Sequence, residues 1–220
     1  MSQASAATAH TEPAETPLTP ESWGKLGMWI FLAGDAMSFG VLLASYGALR
    51  FASPNWPNPN HCLGISLTAL MTFVLICSSV TMVKALDASK KGDLAGLKRF
   101  LALTILGGAF FLGCQAYEWH HLIAGEGMTL HASEFHGHTY DPLFGVTFFI
   151  LTGFHGCHVL GGVIYLTCVR LNSEKYVGGQ APNGANGVEV LGLYWHFVDL
   201  VWILVFTFIY LLPPLAAHHA

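Results

Sequence analysis

The sequence predicts an all-α polytopic membrane protein: a bundle of five transmembrane helices, N-terminus in the cytoplasm and C-terminus outside. Three observations predict it. Only 10% of the 220 residues are charged while 53% are hydrophobic, against about 25% charged in an ordinary soluble domain. Five separate runs are apolar over the roughly 20 residues a helix needs to cross the hydrocarbon core. Lys and Arg gather in alternate connections, the asymmetry that orients membrane bundles.

Taken in order, residues 1–22 are rich in Ala, Thr, Pro and Glu and read as a disordered tail, too poor in apolar surface to fold. They lack the positive and short apolar regions of a secretory signal. The transmembrane domain is expected over 23–215, with spans near 26–49, 62–86, 100–122, 143–170 and 189–212, and a short tail over 216–220. The connections at 50–61 and 171–188 are dense in Pro, Asn and Gly, and Pro213-Pro214 stops the last span. Lys25, the group Lys84, Lys90, Lys91, Lys98 and Arg99, and the pair Arg170 and Lys175 all fall on one side. Only Arg50 falls on the other, where the 123–142 loop has Glu126, Glu134 and Asp141 but no basic residue. The basic side is therefore placed in the cytoplasm. No basic run is long enough for nucleic acid. Five spans do not split into two equal halves, which counts against a small transporter.

Ionisable groups at membrane depth are costly and each needs a reason. Span 1 carries Asp35. Span 3 carries Gln115 and Glu118, span 4 carries His155 and His158, and span 5 carries Glu189, His196 and Asp199. Gln115/Glu118, His155/His158 and His196/Asp199 are each three apart and share a helix face. Glu189, Gly192, His196 and Asp199 form one stripe that must face protein or water rather than lipid. At about 1.5 Å per residue, Asp35 and Asp199 lie roughly 14–15 Å in from the same side. A polar layer is expected near the midplane, its carboxylates and imidazoles hydrogen-bonded to one another or to water. Asp35 reads first as a tie between helices, second as a proton-transfer group. Glycines on spans 3 and 4, among them Gly107, Gly108, Gly153, Gly156, Gly161 and Gly162, allow close helix approach.

Twelve histidines raise the question of haem or metal. His155 and His158 stand on one helix and cannot easily be opposite ligands of one iron. Glu118 with His121 has the spacing of a carboxylate-bridged metal site, but that motif normally occurs twice. His131, His136 and His138 beside Glu134 read as a solvated loop, and His218 and His219 as tail. The five cysteines form no CxxC pair and read as small packing residues. Trp23, Trp29, Trp56 and Trp119 near span ends read as interfacial anchors, and Trp195 and Trp202 as a packing stripe. There is no nucleophile-base set and no phosphate loop. No catalytic, cofactor-binding or metal-binding residue is expected in the chain. A stand-alone di-haem membrane cytochrome stays open as a reading of another class.

The run YWHFVDLVWILVF, Tyr194 to Phe206, resembles the last-helix signature of haem-copper oxidase subunit III. TGFHGCHVLGG (Thr152 to Gly162), LGGAFFLGCQAYEW (Leu106 to Trp119) and LGMWIFLAGDAMSFGVLLASY (Leu26 to Tyr46) are similar to its other helices, in the family's order. The resemblance implies the five-helix bacterial form, in the bacterial plasma membrane. It implies a non-catalytic core subunit that packs on the haem-bearing subunit I, carries structural phospholipids and supports proton uptake. Oxygen would be reduced to water in subunit I, with cytochrome c docking on subunit II. Haem and copper are then expected in partner subunits. Where the family often has a carbodiimide-reactive Glu, this chain has Asp35, similar to quinol-oxidase branches. A quinol oxidase subunit, or the accessory protein of nitric oxide reduction, is the alternative within the family.

Overall fold

In a computed structural model, the described residues are 23–53, 55–58, 63–125, 127–128, 133–135, 138–177 and 184–212. The expected tails at both ends, Cys62, Glu126, His131, His136 and Pro213-Pro214 lie outside them. Five helices are long and apolar enough to cross a membrane. They are α1 (Trp23–Ala52), α2 (Ile65–Lys91), α3 (Leu94–Ala124), α4 (Pro142–Leu171) and α5 (Gly184–Phe206). The chain is an integral membrane protein of the all-α class. α1, α3 and α4 run past both ends of the expected spans, α2 starts three residues later and ends five later than expected, and α5 starts five residues earlier.

Local signals set the ends. Gly92 takes the left-handed conformation (φ 78°) that closes α2, and its N–H reaches back to the carbonyls of Ala88 and Ser89. Asp93 then caps α3 by accepting from the Gly96 N–H at 2.9 Å. This two-residue turn makes α2 and α3 an antiparallel hairpin. Asp141 caps α4 in the same way through Leu143, with Pro142 in the first helical turn. Between α3 and α4 a short antiparallel hairpin pairs β1 (Ser133–Phe135) with β2 (His138–Tyr140). At its far end α5 widens into a π-helical turn, Thr207–Leu211.

α5 is the central helix, packed on α1, α2 and α4 and reaching α3 through its tryptophan side chains. Trp195 and Trp202 are fully buried and donate to Ser78 at 3.0 Å and Thr72 at 2.8 Å on α2. Glycines make room for them: a Cβ on Gly108 or Gly162 would come within 2.6 or 2.8 Å of the Trp195 ring. α1 is the peripheral helix, with most of its side chains facing outward. Two of the expected interfacial tryptophans are packed instead. Trp56 wedges between Tyr46 and Phe144 at ring distances of 5.5 and 5.6 Å. Trp119 lies on Phe149 over the bare backbone of Gly153. The described cysteines are free, and Cys77, Cys157 and Cys168 face outward rather than into the packing.

Candidate functional site: polar groups inside the bundle

The polar residues singled out at membrane depth fall into separate clusters, each joining different helices. In the first, Asp35 of α1 meets His158 of α4, with Oδ1 3.2 Å from Nε2. Both side chains are nearly buried. The other ring nitrogen of His158 lies 2.7 Å from the Phe154 carbonyl. A carbonyl only accepts, so Nδ1 carries a hydrogen. Nε2 then meets the carboxyl in one of two ways: the acid donates to it, or an imidazolium donates to a carboxylate. Both placements hold the same number of protons, and both leave the pair with no net charge in the hydrocarbon. Tyr194 of α5 donates to the His158 carbonyl at 2.8 Å and ties the same point to a third helix. Phe39, one turn beyond Asp35, packs edge-on to His158.

The second cluster lies on α3, toward the end of the bundle away from most basic residues. Gln115 donates to the Thr152 carbonyl of α4 at 2.6 Å, its amide lying on Gly156, where a Cβ would come within 3.1 Å. Glu118 meets the Thr68 hydroxyl of α2 at 3.2 Å and accepts from Tyr210 in the π-helical turn at 2.9 Å. All three are buried.

The third cluster joins α5 to α2. His196 meets Ser79 through Nδ1 at 2.5 Å. Asp199 is buried near the same Ser79, and neither of its carboxyl oxygens has a hydrogen-bond partner among the described residues. Glu189 stands apart at the basic end, paired with Lys25 of α1 at 3.0 Å and partly exposed. Gly192 lies against Met82 of α2. The stripe on α5 thus divides between α1 and α2. Asp35 and Asp199 do not meet, so the expected midplane layer is split into two clusters on opposite flanks of α5. His155 is fully buried between aromatic rings, with Trp202 at 4.9 Å, Phe111 at 5.5 Å and Phe39 at 6.3 Å.

The partners Thr68, Thr72, Ser78, Ser79 and Tyr210 were not foreseen. Small hydroxyls on α2 carry no charge, although Thr68, Thr72 and Ser79 lie four and seven residues apart on one face. The signal that could have found them is their placement: each is a hydroxyl that an apolar helix has no need of. An apolar groove of about 390 Å³ also opens between α1 and α5, walled by Trp29, Leu32, Leu193 and Phe197, with His196 on its rim.

Comparison with known proteins assigns the chain. The family model described as cytochrome c oxidase subunit III matches residues 21–213. The probable cytochrome c oxidase subunit 3 of Nocardia farcinica is 38% identical over 186 residues, covering 84% of this chain and 86% of the relative. The quinol oxidase subunit 3 of Bacillus subtilis is 34% identical over 187 residues, 85% and 86% of the two chains. The cytochrome bo(3) ubiquinol oxidase subunit 3 of Pseudomonas putida is 37% identical over 190 residues, 86% of each. With a family model that spans all five helices, and relatives matched along most of their length, this chain belongs to the subunit III family of the haem-copper oxidases.

Proposed function

We propose that the chain is a non-catalytic core subunit of a proton-pumping terminal oxidase that reduces oxygen to water, with cytochrome c as electron donor. It packs on subunit I, stabilises it and supports proton uptake. The observation that carries this reading is how the buried ionisable groups are used. Asp35 and Glu118 are buried and each ends on a side chain of another helix, the partly exposed Glu189 does the same at the basic end, and Asp199 is buried without a hydrogen-bond partner among the described residues; none belongs to a nucleophile-base-orienter set. Haem and copper are assigned to the partner subunits. Two of the histidines at depth are engaged by side chains, His158 by Asp35 and His196 by Ser79, while His155 lies among aromatic rings with neither ring nitrogen hydrogen-bonded among the described residues. The groove between α1 and α5 has the apolar walls an acyl chain of a structural phospholipid needs. The basic end is assigned to the cytoplasm of a bacterial plasma membrane.

Relatives named as quinol oxidase subunits, at 34% and 37% identity, favour a second donor, a membrane quinol. Purifying the complex through this chain tests both readings. Co-purification of a haem-bearing subunit and a copper-binding subunit, with oxygen uptake driven by reduced cytochrome c, is expected. Uptake driven only by quinol would transfer the assignment to the second donor. Haem bound to this chain alone would overturn both.

The proton-uptake part has its own test at Asp35. Asn there keeps a donor for His158 Nε2 but cannot carry an exchangeable acid proton. Asp35→Asn should therefore leave assembly intact and shorten the number of turnovers the oxidase completes before it inactivates. Unchanged proton uptake and turnover lifetime would leave Asp35 a helix tie only.

A further inference from the structure

Glu118 is 5% exposed and sits between three helices. The groups that face it are few. α2 offers the Thr68 hydroxyl, the end of α5 offers the Tyr210 hydroxyl, and α3 itself offers the Cys114 thiol one turn away. Among the described residues no Lys, Arg or His pairs with it.

Counting hydrogens decides its state. Tyr210 has one hydroxyl hydrogen and gives it to Oε2 at 2.9 Å. Thr68 also has one, and two acceptors lie within reach: the Gly64 carbonyl at 3.1 Å and Oε1 at 3.2 Å. A carboxylate would hold Tyr210 as a donor and compete with Gly64 for the other, with no cation to offset its burial. That is a costly arrangement in a medium without water. A neutral acid uses every hydrogen once. Its own O–H goes to Thr68, Thr68 turns its hydrogen to Gly64, and Tyr210 bonds the carbonyl oxygen.

We propose that Glu118 keeps its proton in the folded protein, as the middle of a one-way hydrogen-bond chain from Tyr210 through Glu118 and Thr68 to the Gly64 carbonyl. The chain clamps the ends of α2, α3 and α5 farthest from the basic side. The π-helical turn belongs to the device, because it holds the tyrosine that begins the chain. A charge-free clamp can sit in hydrocarbon without a counter-ion, which an ion pair could not do after losing either partner.

Infrared spectroscopy of the purified complex at neutral pH tests this. The wild-type spectrum minus that of Glu118→Gln should show the carbonyl stretch of a protonated carboxylic acid, shifted when glutamate is labelled with ¹³C at its carboxyl. Loss of carboxylate bands only would overturn the proposal. Tyr210→Phe leaves Glu118 in place, so it serves even if Glu118→Gln fails to fold. It should keep the acid band but move it to higher frequency, because one hydrogen bond to the carbonyl is gone. An unmoved band would break the chain at its first link.

Discussion

Asp35 and His158 show how a single contact can be both costly and useful. Neither group would be tolerated alone at this depth in its charged form. Together they hold no net charge, whichever atom keeps the shared proton. The strength of the tie is bounded by what the unfolded helices could find in the same membrane. Hydrogen bonds between membrane helices average about 0.6 kcal/mol and reach about 1.7 kcal/mol. This pair should lie near the upper end, because both side chains are buried and one placement is charge-assisted. A double-mutant cycle of Asp35→Ala and His158→Ala, read by detergent-induced unfolding, is expected to give a coupling of roughly 1–1.7 kcal/mol. A coupling near zero would mean the contact holds nothing. The acid itself was legible in the sequence, since Asp in an apolar run is conspicuous. Its partner was not assignable, because His155 and His158 share a face and only helix rotation decides which of them reaches α1.

At the scale of the element, α5 owes its central place to two tryptophans that need both a polar partner and room. Ser78 and Thr72 supply the partners, and Gly108 and Gly162 supply the room. The glycines were read from sequence as sites of close backbone approach. Here Gly108, Gly153, Gly156 and Gly162 receive a side chain instead, so small residues mark space without saying what fills it. Gly108→Ala would drive a methyl to 2.6 Å from Trp195 and 2.7 Å from Val163. Overpacking of this kind costs about 1–3 kcal/mol. Gly113→Ala, five residues on in the same helix, meets nothing within 4 Å and should be neutral or slightly stabilising, since Ala forms helix better. Unfolding midpoints of the two variants check the contrast; equal midpoints would show that the packing around Trp195 accepts the methyl without cost. The helices themselves were readable because 20-residue apolar runs are unambiguous. The π-helical turn was not, since five residues of changed register leave no composition signal.

For the whole molecule, charge is the feature that separates the two ends. α1 is held to the rest at three levels. Lys25 pairs with Glu189 at one end, Asp35 with His158 in the middle, and Arg50 donates to the Leu212 carbonyl at 3.1 Å at the other. The basic end is stitched further by Lys98 with Glu174 and by Arg170 on the Lys98 carbonyl. These exposed pairs contribute little to stability, so their sign matters more for topology than for strength. By the positive-inside rule, Lys91 is expected in the cytoplasm and Gly127 outside. Single cysteines at these two positions separate the orientations. The native cysteines are replaced first, so that each variant carries a single thiol. In intact spheroplasts a membrane-impermeant maleimide should label Gly127→Cys at once and Lys91→Cys only after the membrane is opened. The reverse pattern would turn the bundle over. It would also move the Glu118 clamp to the cytoplasmic side, since that cluster and Gly127 share one end of the helices.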